Sequence, residues 1–329
     1  MIPRHVPLVE TTRGGTPECV HYGSVAVVDT AGRLLASAGD PESLNFTRST
    51  LKPLQALPFV EDGGLSRFGW GSQELALMCA SHNGEAIHQR LVRAMLESAG
   101  FAESDLRCGC HPPMYYQATG ELIPAGARFD QVANNCSGKH AGFLAFCRMH
   151  GDEPARYLDE GAPLQARIRR KVYALAGSAM EQGLDGCSAP NFALPLTRLA
   201  QLFASLAVSD DQAMRAIFFA MTRHPDLVSG TGRTDLAVIN AGGGDWIAKI
   251  GADGVQAIGV RSRGIGIAIR IADGNARALH AATVDVLQQL DLVDDPSGTP
   301  LAPFDAPAIH NYRGLETGGV LPVFTLKHY

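Results

Sequence analysis

The sequence predicts an α+β fold, an antiparallel sheet flanked by helices with a helical lobe inserted into it. Three observations carry this. Two short apolar runs flanking a turn signal occur early, within Ser24–Asp40. Amphipathic helical patterns fill the middle, from about Ser72 to about Arg223. Val/Ile-rich runs divided by Gly and Asp return between Trp246 and Ile271. If the first and last parts share one sheet, the middle is an insertion. The boundaries on this reading are 1–60 plus 224–329 for the sheet-containing lobe and 61–223 for the mainly helical lobe. A site is expected between them, since clefts favour lobe interfaces.

The elements follow in order. Asp29-Thr30-Ala31-Gly32-Arg33 separates two apolar runs and reads as a hairpin turn. A helix is expected within Asn45–Val60, with Thr47 as N-cap, Leu51, Leu54, Leu57, Phe59 and Val60 as its apolar positions, and Pro53 tolerated early. Ile87–Ala99, Gly138–His150, Pro163–Ala176, Pro195–Ala204 and Asp210–Thr222 carry the 3.6-residue spacing of amphipathic helices. Trp246–Ile250, Gly254–Val260 and Gly264–Ile271 read as a strand meander, Asn275–Leu290 as a closing helix, and Val323–Leu326 as a last strand or tail.

Bulk properties narrow the function. The chain has 329 residues, 46% hydrophobic and 19% charged, enough to bury a large interior. A net charge of -5 and the lack of basic runs exclude a nucleic-acid footprint and favour a small-molecule partner. No apolar run reaches the eighteen residues of a membrane span, and the N-terminus lacks a signal-peptide pattern. Seven scattered cysteines argue against a disulfide framework and for the cytoplasm.

Several constellations can carry chemistry. Ser49 and Lys52 stand three apart at a helix start, within one turn of each other, so an amine lies in reach of a hydroxyl. Lysine is a base only when neutral, which requires burial or nearby cations such as Arg48. Penicillin-recognising acyl-transfer enzymes place Ser-x-x-Lys at this point of their fold. Ser81-His82-Asn83 resembles the Ser-x-Asn element of those enzymes, and reads equally as a helix-ending turn. Asn134–His140 and Asp185–Asn191 gather two cysteines, a lysine, a histidine and an aspartate. These could bind Zn²⁺, frame a substrate's charged groups, or contain buried thiols. Ser229-Gly230-Thr231-Gly232-Arg233-Thr234-Asp235 could hold an anion on backbone N–H groups. Gly264-Ile265-Gly266 is no dinucleotide fingerprint, and Cys108-Gly109-Cys110-His111 reads as loop structure.

Taken together and in order, Arg48–Pro53, Ala80–Glu85, Asn135–His140, Asp185–Pro190 and Ser229–Arg233 resemble the Rhizobium etli-type L-asparaginases, the class 3 or "asparaginase II" family. The similarity spans nearly the whole chain. It implies a fold like serine β-lactamases and bacterial glutaminases, and hydrolysis of L-asparagine to L-aspartate and ammonia. It also implies Ser49 as nucleophile, Lys52 as base and Ser81 as a second hydroxyl in the proton path. Arg48, His140 and Asp185 would line the substrate pocket. Cys136, Lys139 and Cys187 would hold a Zn²⁺ that supports binding more than chemistry, in a site that lowers amine pKa values, and the protein would be a homodimer. The family resembles penicillin-recognising enzymes in a further late-strand lysine. Here Arg270 stands where it is expected, with Lys249 and Arg263 as alternatives. Rival readings are a glutaminase or β-lactam hydrolase on the same scaffold, a zinc-dependent amino-acid-binding protein, and a thiol enzyme using Cys136.

Overall fold

The computed structural model describes residues 2–329. Two compact units divide the chain. One comprises Met1–Thr50, Leu194–Val208 and Asn240–Tyr329; the other comprises Leu51–Ala193 and Ser209–Ile239. The early division thus falls at Thr50/Leu51, ten residues before the expected boundary.

The first unit is built on an antiparallel sheet, nine-stranded among the described residues. Its main path runs Ala308–His310, Glu316–Pro322, Val6–Arg13, Thr16–Asp29, Ile265–Ile271, Val255–Val260 and Trp246–Gly251. The first and last parts of the chain do share one sheet. The expected hairpin is present, with Val25 opposite Ala38. Asp29 closes its turn by accepting the N–H groups of Ala31 and Arg33, both at 2.9 Å. A second hairpin precedes it, turning at Gly14 and Gly15, which both hold positive φ (54° and 83°). That Gly-Gly pair was a legible turn signal.

Helix Leu196–Val208 packs on strands Ile265–Ile271, Val255–Val260 and Thr16–Asp29 and so belongs to this unit, although it lies within the expected helical block. Its close seat depends on Gly259 and Gly266, paired across neighbouring strands. A Cβ on either would collide with the helix backbone, at Phe203 O and Ala200 O. Helix Ala276–Gln289 also packs on the sheet, and Asn275 caps it by accepting the Ala278 N–H at 3.0 Å. Val323–Leu326 is not a strand. The terminal strands are Glu316–Pro322 and Lys327–His328.

The second unit is helical. Helix Ser72–Met78 is flanked by Ala86–Ser98, Ser137–His150 and Gln212–Arg223. Pro163–Ala176 packs on Leu57–Glu61 and Lys52–Gln55. The single helix expected within Asn45–Val60 is broken into strand Leu44–Phe46, the 3-10 turn Arg48–Leu51, and helices Lys52–Gln55 and Leu57–Glu61. Pro53 and Pro58 each sit in the first turn of a short helix, where a missing N–H costs nothing. Among the described residues no helix is long and apolar enough to cross a membrane.

Candidate active site

In the sheet unit, Ser49 is buried in the turn that opens at Arg48. Arg48 holds φ 48°, a left-handed conformation that costs a non-glycine residue roughly 1 kcal/mol or more and fixes the direction in which the next residue leaves. The Arg48 guanidinium pairs with the Asp253 carboxylate. The substrate role expected of it competes with that pairing. Strand Trp246–Gly251 runs beside this turn. A Cβ added to Gly251 would stand 3.0 Å from Thr47 O and 3.4 Å from Ser49 N.

Three cations were open as the late-strand cation. Arg263 donates to Leu290 O (3.2 Å) and Asp291 O (2.9 Å), at the C-terminal end of helix Ala276–Gln289. Arg270 donates to Asp253 O. Lys249 is fully buried and lies two residues from Gly251, on the strand face that meets Thr47–Ser49.

In the helical unit, Lys52 is 1% exposed and opens helix Lys52–Gln55. Its Nζ lies 2.6 Å from Ala80 O, 3.3 Å from Asn135 O and 3.0 Å from Ser81 Oγ. Two of these partners can only accept, and the third is a hydroxyl that can also donate. The amine donates to all three, so it is held from three sides. The segment carrying Ser81 is fastened by Ser81 N to Val228 O, His82 N to Asn135 O and Asn83 N to Ser229 O. His82 donates from Nε2 to Ser137 Oγ and accepts the Gly84 N–H at Nδ1. Burial, then the nearby His88 and Lys52, push its pKa well below the usual histidine value. It is a neutral support for the segment.

The thiol cluster forms where helix Ser137–His150 begins. Cys136, Lys139 and His140 fall on one helix face by their spacing of three and four. The hairpin Glu181–Leu184/Pro190–Pro195 brings Cys187 to them at its tip, 3.1 Å from Lys139 Nζ. Asp185 is half-buried at the same tip, where its carboxylate accepts the Gly186 N–H. A hydrogen bond from Cys136, opposed by burial but reinforced by Lys139, holds Cys187 far below the usual thiol range. Cys136 is pushed up in turn. Burial alone would lower the Lys139 pKa, but Cys187, Cys136 and Asp185 together outweigh it and the net shift is upward.

The donor set fits Zn²⁺: two thiols, an amine and an imidazole, all buried. His140 Nδ1 is engaged by Tyr157 Oη at 2.7 Å, while its Nε2, buried near Cys187, has no hydrogen-bond partner among the described residues. A buried nitrogen left in this way suits a metal or a metal-bound water.

In the loop Ser229–Asp235 the Arg233 N–H bonds to Gly230 O at 3.2 Å. Glu85 already accepts the Thr231 N–H at 2.9 Å. Arg233 Nη1 reaches Asn83 Oδ1 (3.2 Å) and Met114 Sδ (3.3 Å). Cys108–His111 is loop structure, with the His111 ring accepting the Asn135 N–H at 3.2 Å.

An α+β scaffold carrying a buried lysine–serine pair beside a thiol cluster accords with an amidohydrolase of asparaginase-like type. The chain belongs to the L-asparaginase II family, whose description matches residues 9–322. Two solved structures are distantly similar. A β-lactamase from Mycobacterium bovis shares 17% identity and a TM-score of 0.43, covering 81% of this chain and 94% of that one. A protein designated Mglu, in its native form, shares 14% identity and a TM-score of 0.44, covering 82% of this chain and 65% of that one. No curated protein sequence matches.

Proposed function

We propose that this protein hydrolyses the side-chain amide of L-asparagine through an acyl-Ser49 intermediate. Family membership supports the substrate class. The observation that carries the chemistry is the enclosure of Lys52 Nζ by two carbonyls and the Ser81 hydroxyl. Ser49 precedes Lys52 by three residues, in the turn that leads directly into its helix.

Lys52 removes the Ser49 proton, and Ser49 Oγ attacks the amide carbonyl. The oxyanion is accepted by backbone N–H groups, that of Ser49 among them, with the missing side chain of Gly251 leaving room beside it. The proton on Lys52 passes to the amide nitrogen, directly or through Ser81, and ammonia departs. Water, deprotonated by the same amine, cleaves the ester and releases L-aspartate. Lys249 supplies a second buried cation near the reacting turn. Asp185 is assigned to the substrate's ammonium group.

Cys136, Lys139 and Cys187 would hold Zn²⁺, with His140 beside them. The metal would supply positive charge to the pocket wall and an open coordination position. Metal analysis checks this: about one Zn²⁺ per chain is expected, falling to near zero in Cys187→Ala. Retained zinc in that variant would remove the assignment. All seven cysteines are free, which supports a reducing, cytoplasmic setting. A homodimer is the assembly we assign.

The decisive assay is ammonia release from asparagine and from glutamine, with nitrocefin cleavage as a third arm. Ser49→Ala and Lys52→Ala should each reduce turnover by about 10³-fold or more, with native circular dichroism. Full activity in either variant refutes the mechanism. Faster turnover of glutamine or nitrocefin replaces the substrate.

A further inference from the structure

Arg233 is half-buried near Asp235, and among the described residues it forms no salt bridge. Burial works against its charge, and the nearby Asp235 offsets this only in part, so its pKa is lowered. Arginine nevertheless stays protonated in proteins. Its hydrogen bonds run from one nitrogen to an amide oxygen and a thioether sulfur, so the fork that matches a carboxylate is unused. A second observation comes from the same loop. The hydroxyls of Ser229 and Thr234, 1% and 2% exposed, are buried with no hydrogen-bond partner among the described residues. Two buried hydroxyls on this loop thus lack a partner, beside a guanidinium with unused N–H groups. Leaving such groups unsatisfied costs roughly 1–3 kcal/mol each unless a ligand or water meets them.

The loop is fixed to the lysine–serine segment. Asn83 N donates to Ser229 O, Asn83 Nδ2 donates to Thr231 O at 2.8 Å, and Arg233 donates to Asn83 Oδ1. The Met114 sulfur that touches Arg233 also lies 3.3 Å from Asn135 Nδ2, and the Asn135 carbonyl holds Lys52. Two residues, Met114 and Asn135, therefore link the guanidinium to the amine proposed as base.

We propose that Arg233, with the hydroxyls of Ser229 and Thr234 beside it, is the subsite for the α-carboxylate of the amino-acid substrate. The inference rests on the proposed amidase reading and adds to it how the substrate is held. Only two carbons separate the α-carboxylate of asparagine from its side-chain carbonyl. A fixed anchor joined to Lys52 through Met114 and Asn135 would set that carbonyl against the nucleophile. It would also explain selection for a free amino acid over an internal amide of a peptide, in which that carboxylate is lost.

The test compares asparagine with 3-aminopropanamide, which is asparagine without its α-carboxylate. The unmodified enzyme should prefer asparagine by about 100-fold or more in kcat/KM. Arg233→Gln should erase most of that preference by raising KM for asparagine, while kcat/KM for 3-aminopropanamide changes by less than about threefold. Arg233→Lys, which keeps the charge, should retain part of it, and Thr234→Val should lose a smaller part. If Arg233→Gln lowers both substrates equally, the arginine merely supports Asn83 and the proposal fails. Failure of the amidase reading is seen separately, as no ammonia release by the unmodified enzyme. Calorimetric titration with L-aspartate against β-alanine, the same molecule without that carboxylate, still decides the matter. A loss of affinity confined to aspartate in Arg233→Gln supports the subsite, and equal or absent binding of both overturns it.

Discussion

Lys52 sits where a buried amine is usually expensive, and the structure meets it with an unusual partner set. Two main-chain carbonyls and the Ser81 hydroxyl accept its hydrogen bonds. Ser81 is thus in direct contact with the amine proposed as base. Ser81→Ala should lower kcat by about 10²-fold with little change in KM or melting temperature, as for loss of a proton-path group. Unchanged kcat would remove Ser81 from the mechanism. The residues flanking Ser49 act through geometry. Gly251→Ala would set a Cβ 3.0–3.4 Å from Thr47 O, Arg48 Cβ and Ser49 N, so the backbone bearing the nucleophile must move. We expect a loss of at least tenfold in kcat at near-native stability, read by steady-state kinetics and calorimetry.

At the scale of elements, helix Ser137–His150 delivers three site residues, and its position depends on small residues. Gly138 and Gly142 lie one turn apart against Leu77 and Met78 of helix Ser72–Met78. A Cβ on Gly138 would stand 2.5 Å from Leu77 O, backbone that cannot rotate away. Gly138→Ala should cost about 1–3 kcal/mol in denaturant unfolding, despite alanine's better helix propensity. It should also shift Cys136 and Lys139 relative to Cys187. A neutral or stabilised variant would show that these helices have slack. Most helices were legible from their period and caps; Pro163–Ala176 has the expected bounds, and Asn275 caps as a sequence reader would expect. The segment from Arg48 to Glu61 was not. Its apolar spacing is helical, but Arg48's left-handed backbone and the prolines at 53 and 58 divide it. Strand Val6–Arg13 was missed although Gly14-Gly15 marks its turn. Its apolar residues are few, and the partner strands that bury it lie at both ends of the chain.

For the whole molecule, pH links the site's supports to folding. His82 and His88 are buried and stacked at 5.0 Å, and burial lowers both pKa values. Above the ordinary value of about 6.5 neither state is protonated and they contribute no pH dependence. Below it the unfolded chain binds protons that the native state refuses, so stability falls with pH. Each histidine adds up to about 1.4 kcal/mol per pH unit. Denaturant unfolding at pH 7.5 and 5.5 should show this loss, and His88→Gln should reduce the slope. A stability independent of pH across that window would contradict the neutral assignment.

The sequence by itself determined the α+β class, the order of sheet, helical insertion and sheet, and the residue types of the site, because periodicity and local motifs are written in neighbouring residues. Tertiary structure decided which polar residues meet. The Lys52–Ser81 contact, the approach of Cys187 to Lys139, and the bond from Arg270 to Asp253 O join positions apart in sequence. So do the contacts of Arg233 with Asn83 and Met114, since they belong to what folds around the charge and not to its neighbours in the chain.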